Sequence, residues 1–167
     1  MALVLETGAI VANAEAYVAA VEVVAYAAKR SVTLTSVTDA HVESLIVKAM
    51  DLLESLESRI QGTRVSSEQV LSWPRANVSL NGFDVLETTI PAVLKKALCQ
   101  LAVDADGFDL MPTGDGREVI KEKVDVLETT YAATGAAVPP PPTLTAFYNI
   151  LAPLLASGGA FTLELER

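Results

Sequence analysis

The chain reads as a mainly α protein with one small β ribbon and extended ends. Three observations predict this. Apolar residues recur at three-and-four spacing over four separate stretches, the period of helices with one buried face. The stretch 119–131 alternates apolar and charged residues in part, as a strand or long β-hairpin does. The chain is 51% hydrophobic but only 5% aromatic, so its core is built from Ala, Val and Leu. At 167 residues it supports one domain, 1–167, with a substantial core. The helical part covers about 14–110 and 143–156, the ribbon about 117–131, and the tail 157–167.

The elements follow in order. Leu3–Leu5 is a short strand or extended arm ending at Thr7-Gly8. A first helix is expected from about 14 to 30, its start open between an early cap at Asn13 and a later one near Tyr17-Val18, with Val21, Val24, Ala25 and Ala28 on one face. Lys29 and Arg30 suit its C-terminus. The second helix starts at an N-cap, Thr38, with Asp39 in the first turn. Its stripe runs Val42, Leu45, Ile46, Ala49, Leu52, Leu53, Leu56 and Ile60, and Gly62 ends it. Asn81-Gly82 sits between Val78/Leu80 and Phe83/Val85, where a small hairpin and an ordered loop both fit. Ile90-Pro91 opens a third helix that buries Leu94, Ala97, Leu98, Leu101, Ala102 and Ala105. The four prolines from Pro139 make a stiff linker. The fourth helix begins near Thr143 and buries Leu144, Phe147, Leu151, Leu154 and Leu155, with Pro153 kinking its last turn.

Between the second and third helices lies Arg64 to Arg75, which holds the only tryptophan. Trp73 precedes Pro74, which pushes its backbone away from helix. The stretch reads as a fixed crossing with Trp73 as anchor. Arg64 and Arg75 are each suited to stack on the ring or grip a carboxylate. Truncating Trp73 is expected to loosen the protomer, whereas Arg75→Ala is expected to spare it and weaken assembly.

Charge and residue counts exclude several classes. Twelve Lys and Arg stand against 21 Asp and Glu, a net charge of −9, which argues against a general affinity for nucleic acid. Cys99 and His41 are the only residues of their types, so neither a zinc spacing nor a nucleophile–base pair is visible. No enzyme activity, cofactor or metal is expected. Cys99 reads as a small buried hydrophobe. His41 is expected to be exposed. The carboxylates Asp104, Asp106 and Asp109 lack the ordered register of a calcium loop. Lys95 and Lys96 read as a solvated face. No apolar run approaches the ~18 residues of a membrane span, and a cytoplasmic origin is the default.

The motifs resemble a phage protein family labelled DnaT-like single-stranded DNA-binding protein. Ala2-Leu3-Val4, Asn13-Ala14-Glu15-Ala16-Tyr17-Val18 and Ala49-Met50-Asp51-Leu52-Leu53 match its early segments. Its most specific piece is carried by Arg64, Gln69, Leu71, Trp73, Pro74 and Arg75. Ile90-Pro91-Ala92-Val93-Leu94-Lys95, the Lys121-Glu122-Lys123-Val124 piece and Pro153-Leu154-Leu155 complete it. The order of features is also similar to head–tail adaptor (connector) proteins of long-tailed bacteriophages. That likeness implies a four-helix-bundle-like adaptor in the virion neck, made in the host cytoplasm. It would form a homo-oligomeric ring of twelve beneath the portal, meeting the portal protein and the next neck or tail component. Genomic DNA would pass through an acidic lumen without specific binding.

On this expectation Arg64, Gln69, Trp73, Pro74 and Arg75 form a structural staple. Lys121, Lys123, Val124 and Val126 of the ribbon and Phe161, Leu163 and Leu165 of the tail contact partners. The alternating tail suits addition to a neighbour's sheet edge, and equally pairing with the chain's own Leu3–Leu5 arm. The alternative function, taken from the family label, is a single-stranded DNA-binding protein of phage replication. A basic groove with stacking aromatics would be its mark.

Overall fold

Leu94, Ala97, Leu98, Leu101, Ala102 and Ala105 recur along one side of a helix and are all buried, and that stripe organises the molecule. In the computed structural model, which describes residues 3–111, 119–123, 128–131 and 144–156, the stripe belongs to α3 (Ala92–Gly107). Three other helices pack on α3: α1 (Ala20–Ala28), α2 (Asp39–Ser55) and α4 (Thr145–Leu151). Trp73, Tyr17, Phe147, Ile46 and Leu53 are among the largest side chains in the shared core.

Short antiparallel pairs decorate the helices: β1 (Thr63–Arg64) with β2 (Arg75–Ala76), and β3 (Ser79–Leu80) with β4 (Phe83–Asp84). The chain divides into two compact units, Met1–Leu110 with Leu144–Arg167, and Met111–Thr143. The second unit contains a hairpin of β5 (Val119–Lys123) and β6 (Glu128–Tyr131), with an irregularity between Val119 and Lys121. Lys121 pairs in register with Thr130 and Lys123 with Glu128. Val124, Val126, Phe161, Leu163 and Leu165, and the four-proline linker, lie outside the described residues. The fold is thus four helices with small two-stranded antiparallel sheets.

Several expectations need correction. The first helix is shorter than 14–30, and it buries Val23, Tyr26 and Ala27 rather than the face through Val21, which is 71% exposed. Alanine and valine surround this helix, so its apolar period is shallow and packing on α3 picks the face. Ala14, Ala16, Tyr17 and Val18 are buried outside any helix while Glu15 is exposed: Leu5 bridges Ala16, and the Glu15 N–H donates to the Val4 carbonyl at 2.7 Å. Glu6 braces the following turn, its carboxylate accepting from the N–H groups of Gly8, Ile10 and Val11.

The second helix stops at Ser55, and Leu56 and Ile60 reach the core from a 3-10 turn. Gly62 therefore caps no helix. It sits at φ +75°, where a Cβ would meet the Ala76 carbonyl oxygen at 2.1 Å, so glycine lets the strand pair close. The fourth helix ends at Leu151 and continues as a 3-10 turn through Pro153. Asn81 and Gly82 both take positive φ, the geometry of a two-residue hairpin turn, which decides for the hairpin over the loop.

Candidate nucleic-acid interface

The crossing from Arg64 to Arg75 is a hydrogen-bonded knot around a buried ring. Arg64 grips Glu57 with both arms, Nε to Oε1 at 2.6 Å and Nη2 to Oε2 at 2.7 Å. The bidentate pair holds the Glu57 carboxyl below the usual glutamate range. Gln69 knits the loop shut. Its Oε1 accepts from the N–H groups of Val65 and Ser66, and its Nε2 donates to the carbonyls of Leu71 and Pro74.

Trp73 is wholly buried before a cis Pro74, and its N–H donates to the Tyr17 hydroxyl at 3.1 Å. That hydroxyl donates to Glu54 Oε1 at 2.7 Å. Burial, then the Glu54 charge, drives the Tyr17 phenol far above its ordinary range, so it stays protonated. The Trp73 indole N–H has no hydrogen-bond partner among the described residues.

Arg75 does not face outwards. It is 5% exposed and donates to the carbonyls of Ile60, Gln61, Gly62 and Ser72. The expectation that its loss spares the protomer is corrected. A guanidinium that satisfies four carbonyls inside the fold belongs to the fold.

His41 is likewise engaged rather than free: Nε2 lies 2.8 Å from Asp106 Oδ1, while the Thr35 N–H donates to Oδ2 at 2.6 Å. Asp104 accepts from Gln100. Among the described residues no three His, Cys, Asp or Glu gather as metal ligands, and no helix is long and apolar enough to cross a membrane.

A cationic surface lies elsewhere. The C-terminal end of α1 and the N-terminal part of α3 enclose a shallow groove lined by Tyr26, Lys29, Arg30, Lys95, Lys96, Cys99, Ala25 and Glu22. Four of the chain's twelve cations face one carboxylate there. The Arg30 guanidinium lies over the Tyr26 ring, 3.4 Å from Cζ to the centroid, and Nη1 donates to the Tyr26 carbonyl. Lys95 Nζ approaches Glu22 Oε1 at 3.8 Å, a loose and half-exposed pair. Lys29 and Lys96 are exposed and form no salt bridge among the described residues. Cys99 is buried at the groove's edge, and burial pushes its thiol up to about 12, which disfavours the thiolate.

A second concavity, beside the β3–β4 hairpin, carries the exposed Phe83 nearby but is lined by Asp84 and Glu87 and holds no cation. Sequence reasoning passed over the α1–α3 groove because it treated Lys29-Arg30 and Lys95-Lys96 separately, as a helix end and a solvated face. A signal was present: these are the only two places where cations are adjacent in the chain.

The class this describes is a small, mainly helical, acidic protein with, among the described residues, a cationic groove beside a stacked arginine–tyrosine pair. The chain belongs to the family described as "Putative DnaT-like ssDNA binding protein", which it matches over residues 1–167. No curated protein and no solved structure shows a match. The membership corrects the expectation of a head–tail adaptor. The matching family is described by single-stranded DNA binding, against DNA merely passing through without being bound. Nothing found supports a twelve-membered ring, a portal or neck partner, or a structural place in the virion. The adaptor expectation rested on the likeness of feature order and on the net charge of −9, and a whole-chain charge hides a local excess of cations.

Proposed function

We propose that this protein binds single-stranded DNA in the groove between α1 and α3, as a binding module with no catalytic step. The observation that carries the proposal is the convergence of Lys29, Arg30, Lys95 and Lys96 on one groove of an otherwise acidic chain. Family membership supports the choice of ligand. Local energetics support it too. Lys95 lies at the end of the first turn of α3, where the helix dipole favours anions, and that first turn has no acidic residue. Cations placed against the dipole cost helix stability and are expected where an anion is bound. Arg64, Gln69, Trp73, Pro74 and Arg75 act as the staple that holds the crossing; they are not part of the DNA surface.

The test is fluorescence anisotropy with a labelled oligothymidylate over a salt series. Three lysines on phosphates at about 0.7 each, with Arg30 adding at most one more, give a slope of log affinity against log salt of roughly −2 to −3. Lys29→Glu with Lys96→Glu lowers affinity at least about tenfold at about 50 mM salt and flattens that slope. An unchanged affinity in this variant, or no binding by the wild type at that salt, overturns the proposal.

A further inference from the structure

Resting on that groove, we propose that Arg30 is its base-recognising residue: the guanidinium seated on Tyr26 is a preformed flat platform for one unpaired base. Both partners are held in place before any ligand arrives. The Tyr26 hydroxyl donates to Gln100 Oε1 on α3 at 2.9 Å, and the ring is buried. Arg30 covers that ring at 3.4 Å and is tied by Nη1 to the Tyr26 carbonyl at 3.2 Å. One face of the guanidinium is therefore against the ring, while Arg30 itself is exposed along the groove.

A planar, weakly hydrated cation with one face covered and the other open stacks on nucleobases, and an ammonium has no such face. Lys29, Lys95 and Lys96 border the platform as point charges suited to the phosphates either side of a stacked base. The arrangement discriminates by base exposure. In a duplex each base face is already stacked on its neighbours, so the platform has nothing to take up. In a single strand a base turns out at little cost. The groove thus selects single strands through Arg30 and holds them through the three lysines.

The experiment compares the full-length protein and its Arg30→Lys variant against three labelled ligands. These are an oligothymidylate, an abasic oligomer of equal length and charge, and a duplex. The wild type is expected to prefer oligothymidylate over the abasic oligomer by roughly five- to tenfold. Arg30→Lys is expected to bring the two to equal affinity while the salt slope stays the same, since the charge is kept. Thermal melting of Arg30→Lys at the wild-type temperature shows that the fold is intact.

Equal wild-type affinity for the two single strands overturns the role of Arg30. So does a preference that survives Arg30→Lys. In either case, sensitivity to Lys29→Glu with Lys96→Glu leaves the groove standing. Failure of the wild type to bind any ligand overturns both.

Discussion

Arg75 shows how one side chain ties the crossing to the rest of the fold. Its guanidinium sits among carbonyls from two separate stretches, 60–62 and Ser72, with Glu57 Oε1 at 3.6 Å from Nη1. Burial depresses its proton affinity, yet an arginine stays charged across the accessible pH range. Arg75→Ala leaves those carbonyls without their donor, and is expected to cost roughly 2–4 kcal/mol. Arg75→Lys recovers only part of that, because an ammonium lacks the fork that spans several acceptors. The urea midpoint reads both. A midpoint for Arg75→Ala equal to wild type would return Arg75 to the surface role that its sequence context suggests.

At the scale of elements, the clasp between the start of α2 and the end of α3 responds to pH. Asp106 is held below its ordinary range, first by the Thr35 N–H and then by His41. A carboxyl whose folded value is depressed contributes stability that is complete above its unfolded value, about 3.9, and is lost as pH falls through the folded one. Glu57, gripped by Arg64, adds in the same direction. Asp104, raised by burial, acts with the opposite sign. The melting temperature is therefore expected to fall as pH drops from about 5 to 3, and Asp106→Asn is expected to flatten part of that slope. An identical slope in Asp106→Asn removes the clasp from the acid response.

At the scale of the whole molecule, the buried hydrophobic residues that form the described core all lie in the larger unit, formed by Met1–Leu110 and Leu144–Arg167. The groove is lined by residues of that unit alone. Replacing 111–143 by a flexible Gly/Ser linker of equal length is therefore expected to leave one cooperative thermal transition by circular dichroism. The replaced segment includes Arg117, Lys121 and Lys123. Binding to oligothymidylate should remain sensitive to Lys29→Glu with Lys96→Glu in the shortened chain. A broad, non-cooperative melt would make the smaller unit part of the folding core.

Local pattern determined a good deal. The α3 stripe, most of the α2 stripe, the Asn81-Gly82 hairpin and the β5–β6 ribbon follow from apolar period and turn chemistry, which act over a few neighbouring residues. The family was also legible, because its motifs are runs of residues in order.

What local pattern could not decide are the features made by residues far apart. The face of α1 was set by packing on α3, not by its own nearly uniform alanine and valine. Burial of Arg75 needed the carbonyls of 60–62, and engagement of His41 needed Asp106, 65 residues away. The groove needed α1 and α3 side by side before Lys29-Arg30 and Lys95-Lys96 became one surface. Charge in a sequence is a sum, whereas a ligand meets only the charges within about a Debye length, and folding alone decides which those are.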